Sequence, residues 1–390
     1  MSTDAPTRDL ARLADPASAL ALIKPAVRAQ AAYLLAAPSA QRKLNQNESP
    51  FDFPAALKAQ VLARAAAAPW QRYPEFAPAA LLARLAVEYG WMAEGVLVGN
   101  GSNELIQATL AVTLAAGDAV VAPSPTFSLY RLLTNVFGGR YVPVPLGADF
   151  AYDVDRLIEV AVRERARVVV LNSPNNPTGS ALPPDAVSRV LRATDALVLA
   201  DEAYQDFGGP SALPLLAREP RVVVLRTFSK ALGLAGLRCG VALAHPAVAR
   251  EIAKAKLPYN VNLVTLAAAE AALDAAPLRA DRIRQIVATR DRVAPRLAAL
   301  GGLTVFPSAA NFLLVRFHRI PAAVAFHRLL DEYGILVRDV SGAAELRECL
   351  RITIGTPDDM DAVIEALTRI LGGTADRPSD TRGAPSAHPA

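Results

Sequence analysis

The chain has 390 residues, 52% of them hydrophobic and 20% charged, which is enough apolar material for a large core divided between two domains. Forty-one basic residues against 37 acidic ones leave a net charge of only +4, and no basic run is interleaved with aromatics, so a nucleic-acid partner is not expected. The two cysteines, Cys239 and Cys349, lie far apart in apolar surroundings, and the four histidines, His245, His318, His327 and His388, lack metal-ligand spacing; neither a disulfide framework nor a metal site is expected.

Met1 to Arg12 carries Asp4, Arg8, Asp9 and Arg12 and no apolar stretch, so residues 1–15 read as a flexible N-terminus without an export signal. Arg, Glu or Pro interrupts each alanine-rich segment well before it reaches the length of a bilayer span, and the expected location is the cytoplasm. From Val96 to Val241, apolar runs of strand length alternate with helical patterns, which predicts an α/β fold with a mostly parallel central sheet covered on both faces. The first run, Gly95-Val96-Leu97-Val98, opens into Gly99-Asn100-Gly101-Ser102-Asn103-Glu104 and then a helical pattern from Leu105 to Leu114. Val168 to Leu171 runs into Asn172-Ser173-Pro174-Asn175-Asn176-Pro177-Thr178-Gly179, a turn stiffened by its prolines. A crossover helix is expected from Leu182 to Ala193, its start marked by Pro183-Pro184-Asp185. Ala196 to Ala200 ends in Asp201-Glu202-Ala203-Tyr204, and Val222 to Leu225 leads to Thr227-Phe228-Ser229-Lys230 and on to Arg238.

The pattern from Leu263 to Leu300 predicts one long helix. Beyond Gly301-Gly302, short strands at Leu303–Phe306, Phe312–Phe317, Ile335–Val337 and Leu350–Ile354 and helices near Ala322–Tyr333 and Pro357–Leu371 predict a smaller α+β domain. The expected division is a segment 16–50 joining the small domain, a large domain 51–270, a small C-terminal domain 271–371, and a disordered Gly/Pro/Ser-rich tail 372–390.

Four of these strands end in groups that match the parts of one molecule, pyridoxal 5'-phosphate. Glycine followed by a helix start at Gly101, Ser102 and Asn103 offers backbone amides and a positive dipole end to a phosphate. Asn176 and Tyr204 suit the ring phenolate, Asp201 the pyridine nitrogen, and Lys230 the aldehyde, as a Schiff base. Taken singly, each has a plain structural reading: a turn, a helix cap, a solvated lysine. Together they fall where ligands lie in an open parallel sheet, beyond the carboxyl ends of its strands.

These motifs resemble the fold-type I pyridoxal phosphate aminotransferases, and most of all histidinol-phosphate aminotransferase, from about Val27 to about Leu371. The stretch Lys43-Leu44-Asn45-Gln46-Asn47-Glu48-Ser49-Pro50 is similar to that branch's Leu-Asn-x-Asn-Glu-x-Pro signature, and Arg72-Tyr73-Pro74 to its Arg-Tyr-Pro segment. By resemblance Tyr73 reaches across a homodimer to the neighbouring cofactor phosphate, and Thr227, Ser229 and Arg238 hold the phosphate of their own subunit. Phe127, in Pro125-Thr126-Phe127, stands where the family stacks a tyrosine on the ring, so the stacking is kept and the hydroxyl is lost. Asn311-Phe312, Val337-Arg338-Asp339 and Leu350 to Thr356 also fit the family. Arg351 is similar to the arginine that holds the substrate's anionic end. A charge interrupting an apolar strand is costly to bury without an anion, which supports that role. Arg338 is its helper, or a solvated strand-end arginine. Tyr33, Asn47 and Glu48 stand near the family's substrate positions, or serve as packing residues; Asn176 counts with the substrate group as well.

The resemblance implies ping-pong transamination between histidinol phosphate (or imidazole acetol phosphate) and glutamate/2-oxoglutarate in histidine biosynthesis. In that reading Lys230 moves the proton in its neutral form, with the cationic ring and the nearby arginines depressing its pKa. Transamination of aromatic amino acids, threonine-phosphate decarboxylation, and a catalytically silent binding module are the alternatives.

Overall fold

The computed structural model describes residues 16–31 and 38–372. Tyr33, the segment 1–15 and the tail from 373 onward lie outside the described residues; Gly372, expected in the tail, instead closes the last helix. In chain order the elements begin with two short helices, α1 (Ala17–Ala21) and α2 (Pro25–Arg28), strand β1 (Arg42–Lys43), and helices α3 (Ala55–Ala67) and α4 (Ala79–Tyr89). There follow β2 (Val96–Asn100), α5 (Ser102–Thr113), β3 (Ala119–Ser124), α6 (Leu129–Val136), β4 (Arg140–Pro145) and α7 (Val154–Arg163). Next come β5 (Val168–Asn172), α8 (Ala186–Ala193), β6 (Leu197–Asp201), β7 (Val222–Thr227), β8 (Cys239–Ala244), α9 (Pro246–Ala253) and α10 (Leu263–Asp274). The remainder is α11 (Ala276–Ala298), β9 (Leu303–Val305), β10 (Phe312–Phe317), α12 (Ala322–Tyr333), β11 (Ile335–Leu336), β12 (Arg338–Asp339), β13 (Cys349–Thr353) and α13 (Pro357–Gly372).

Seven strands form the central sheet in the order β2-β8-β7-β6-β5-β3-β4. The pairs β3/β4, β3/β5, β5/β6 and β6/β7 are parallel, as the alternating strand and helix pattern predicts. Only β8 runs the other way, antiparallel to both β7 and β2. Two reversals restore the direction, so β2, β5, β6 and β7 all end at one edge, and β8 starts there. Side chains alternate between faces with period two. Val168, Val170, Leu199, Val223 and Leu225 join one cluster with α5, α6 and α9, while Val169, Leu171, Val198, Ala200, Val222 and Val224 join another with α3, α4, α7, α8 and α10. Both faces are thus dry, which explains why these strands read as continuous apolar runs.

A second, antiparallel sheet, β12-β13-β10-β9, packs with α11, α12 and α13, and β1 pairs in parallel with β11. The strand expected at Ile335–Val337 ends at Leu336, where Ile335 and Leu336 pair with β1, and a second short strand, Arg338–Asp339, pairs with β13. The long helix expected from Leu263 is broken at Ala275, because Pro277 lacks the N–H that would continue the first helix and instead suits the first turn of a new one. The crossover helix begins at Ala186, with Asp185 at its N-cap, rather than at Leu182. Among the described residues, no helix is long and apolar enough to cross a membrane.

Candidate active site

The ends of β2, β5, β6 and β7, the start of β8 and the segment 45–48 enclose a cavity of about 500 Å³. Of the residues singled out from the sequence, Ser102, Asn103, Phe127, Asn176, Asp201, Tyr204, Thr227, Ser229, Lys230, Arg238, Asn47, Glu48, Arg338 and Arg351 line it. Gly101 stands just behind. Its φ of +77° is one that side-chain-bearing residues avoid, and a Cβ there would lie 2.4 Å from Nη2 of Arg238. At the start of β8, a Cβ on Gly240 would lie 2.2 Å from the backbone nitrogen of Ser102. Only glycines let the α5 N-terminus and Arg238 close on one small volume.

At that end of the cavity Nη1 of Arg238 donates to Ser229 Oγ (3.2 Å) and to the Ala235 carbonyl (3.1 Å), and Thr227 Oγ1 donates to Ser229 Oγ (3.0 Å). Hydroxyls, helix-end amides and a guanidinium that, among the described residues, has no carboxylate against it form a donor set suited to a dianion.

Deeper in, Asp201 is 3% exposed. Tyr130 Oη donates to its Oδ2 at 2.7 Å and the Ala203 N–H to its Oδ1 at 3.1 Å. Burial raises its pKa, and those two hydrogen bonds pull the other way. Asn172 fixes the neighbouring strand end: its Nδ2 donates to the Asp201 carbonyl (3.1 Å), and its Oδ1 accepts the N–H of Asn176 (3.0 Å). Asn175, fully buried, accepts from Thr126 Oγ1 and donates to the Pro125 carbonyl, so the Phe127 turn and the Asn176 turn are one unit.

Lys230 Nζ donates to the Gln46 carbonyl at 2.9 Å and lies 5.7 Å from the Tyr204 ring centre. Its pKa is lowered to about 7, first by burial and then by Arg351 and Arg238. Burial is therefore the leading cause, ahead of the arginines invoked from the sequence. Arg351, 8% exposed, donates from Nη2 to the Asn45 carbonyl (2.7 Å) and from Nη1 to Asn176 Oδ1. Asn47 Nδ2 donates to the Tyr204 hydroxyl (3.0 Å), its own N–H is accepted by Thr353 Oγ1 (2.9 Å), and its φ is +54°. Glu48 pairs with Lys43 beside the cavity.

Tyr73 does not reach this cavity; it is 79% exposed and stacks on Tyr259 with ring centres 4.5 Å apart. Tyr130, Asn172, Asn45 and Gln46 line the cavity without having been singled out from the sequence. Tyr130 lies one helical turn beyond Phe127, and that spacing is the only signal that could have found it. Among the described residues, no three His, Cys, Asp or Glu side chains are grouped to hold a metal ion.

Residues 40–367 match the family model of aminotransferase class I and II. The chain is 41% identical over 355 residues to a histidinol-phosphate aminotransferase of Chlorobium phaeovibrioides, covering 90% of this chain and 98% of that protein. It is 40% identical over 332 residues to one of Chlorobaculum tepidum, covering 85% and 94% respectively. Among solved structures, histidinol-phosphate aminotransferase from Sinorhizobium meliloti, in complex with pyridoxal 5'-phosphate, superimposes with a TM-score of 0.81 at 28% identity, covering 91% of this chain and 98% of that one.

Proposed function

The chain belongs to the class I and II aminotransferases, and from that premise we propose that it transfers an amino group between histidinol phosphate and 2-oxoglutarate with pyridoxal 5'-phosphate as cofactor. The observation that carries the reading is one cavity uniting a lysine of depressed pKa, a buried carboxylate facing only neutral donors, and a glycine-backed cradle under a guanidinium. The residues present fit the cofactor part by part. Arg238, Ser229, Thr227 and the amides of Ser102 and Asn103 would hold its phosphate, Asp201 its ring nitrogen, Tyr204 and Asn176 its phenolate oxygen, and Phe127 one ring face. When bound, pyridoxal 5'-phosphate supplies an aldehyde that takes the amino group and a protonated ring that draws electrons from the substrate α-carbon.

Lys230 does the proton work. Its Nζ, neutral above about pH 7, takes the proton from the substrate α-carbon and gives it back on the far side of the reaction. Arg351, held flat by Asn45 and Asn176, presents its guanidinium to a phosphate or a carboxylate, and Arg338 stands beside it. Accepting both anions is what the two half-reactions demand.

The reading includes a large domain 51–270, a small domain 271–371 joined by residues 16–50, and a cytoplasmic homodimer in which Tyr73 serves the neighbouring site. The β1/β11 pair supports the placing of the N-terminal segment. The exposure of Trp70 (74%), Tyr73 and Phe76 (66%) supports the homodimer.

Rates with histidinol phosphate, phenylalanine and threonine phosphate, each with 2-oxoglutarate, test the substrate. The expected result is a kcat/KM for histidinol phosphate at least about tenfold above that for phenylalanine, equivalent to about 1.4 kcal/mol of transition-state binding. A preference for phenylalanine, or carbon dioxide release from threonine phosphate, overturns the assignment.

A further inference from the structure

Resting on the function just proposed, we propose that Tyr130 is a positioning residue that keeps the Asp201 carboxylate ionised and aimed into the cavity. Asp201 sits at the end of β6 with almost no exposure, and its two side-chain partners are both neutral: the Tyr130 hydroxyl at 2.7 Å and the Ala203 N–H at 3.1 Å. A buried carboxylate so placed tends toward its neutral, protonated form, which cannot balance a cationic ring. The phenol counters that tendency with a hydrogen bond to charge, the strong kind.

Geometry leaves Tyr130 little other employment. Its ring is 0% exposed, it lines the cavity, and it meets Phe127 edge-on with centres 5.7 Å apart and planes at 90°. The turn that leads into α6 and the helix's first turn thus place, three residues apart, a ring positioned to receive a flat ligand and a hydroxyl positioned to orient the carboxylate beneath it. Burial and the Asp201 charge push the phenol's own pKa up, so it remains a donor over the working pH range. The other titratable groups around Asp201 are Tyr152, Tyr204 and Glu202, with Lys230 across the cavity. Glu202 is neutralised by Arg226 at 2.7 Å, the Tyr152 hydroxyl donates to the Asn172 carbonyl, and the Tyr204 hydroxyl accepts from Asn47 Nδ2, while Tyr130 donates to Oδ2.

The test uses the full chain, stripped of pyridoxal 5'-phosphate and titrated with it across pH, as wild type, Tyr130→Phe, Asp201→Asn and the double variant. In wild type, affinity falls on the acid side as Asp201 takes up a proton. Tyr130→Phe is expected to move that fall up by about one pH unit, a tenfold change in the carboxylate's hold on its proton. Its melting loss, measured without cofactor, should widen from pH 5 to pH 8. In the Asp201→Asn background, Tyr130→Phe should change affinity by less than about twofold, because nothing remains for the hydroxyl to steady. An acid fall that stays in place, with a melting loss equal at every pH, assigns Tyr130 to packing and overturns the proposal. So does an undiminished effect of Tyr130→Phe in the double variant. A wild-type chain that binds no pyridoxal 5'-phosphate overturns this assignment and the function beneath it, whereas binding with an unmoved acid fall overturns this assignment alone.

Discussion

Asp201 and Glu202 are adjacent, both 3% exposed, and they point to opposite faces of the sheet. On the cavity face Asp201 meets a phenol and an amide. On the other face Glu202 meets the guanidinium of Arg226 at 2.7 Å, the Ser211 hydroxyl at 2.8 Å and the Ala212 N–H. Arg226 is held in turn by Gln205 and faces Asp206 at 3.7 Å. Burial raises the pKa of both carboxyls, but only Glu202 has a protein cation opposing the shift. The difference separates two uses of the same costly group. A carboxylate matched inside the protein pins the ends of β6 and β7 together, while one left without a countercharge is completed by a ligand.

The sharpest way to break this contrast is to neutralise each side chain in turn. Glu202→Gln leaves Arg226 buried with only Asp206, at 3.7 Å, as a charged partner and is expected to lower stability by about 3 kcal/mol in urea melts, with little change in the rate per folded enzyme. Asp201→Asn is expected to do the opposite. Transamination falls by about a hundred- to a thousandfold, while the cofactor-free chain gains stability at pH 7. The sign follows from the raised pKa: the ionised group penalises the fold as pH rises through the folded value, and below pH 3.8 the two proteins melt alike. Equal stability losses for both variants would erase the distinction.

Lys230 extends it to a cation. Titrating near 7 instead of 10.5, the amine binds its proton more readily in the unfolded chain, so stability rises with pH between those values. Lys230→Met should therefore stabilise the cofactor-free chain by about 1–2 kcal/mol below pH 7, and by nothing above pH 10.5. A gain independent of pH would point to packing instead. The smallest effect is expected at the surface: Tyr73→Phe should weaken cofactor retention a few-fold, as for one lost hydrogen bond, measured by dialysis of the dimer. Unchanged retention would remove Tyr73 from the neighbouring site.

Four strand ends were legible because each apolar run stops at a residue foreign to it, as at Gly99, Asn172, Asp201 and Arg226. The direction of β8 was not, since an apolar run carries no arrow. Tyr130 was hidden because helical spacing marks it as core, and its partner stands 71 residues further along the chain. The acceptor of the Lys230 amine is the Gln46 carbonyl, a group every residue possesses, so no choice of side chain announces it. The break at Ala275 was legible in Pro277, but helical spacing on either side outweighed it.

The segment 44–47 is bonded to the smaller sheet: the Thr353 N–H is accepted by the Leu44 carbonyl (3.0 Å), and Asn311 Nδ2 donates to the Asn47 carbonyl (3.1 Å). Across the cavity its ties are Gln46 to Lys230, Asn47 to Tyr204, and, through Arg351, the larger sheet's Asn176. Any rocking of one sheet away from the other carries this segment along and severs those ties together. Such a displacement would therefore free the Lys230 amine from the Gln46 carbonyl in the same step that breaks the Asn47–Tyr204 bond.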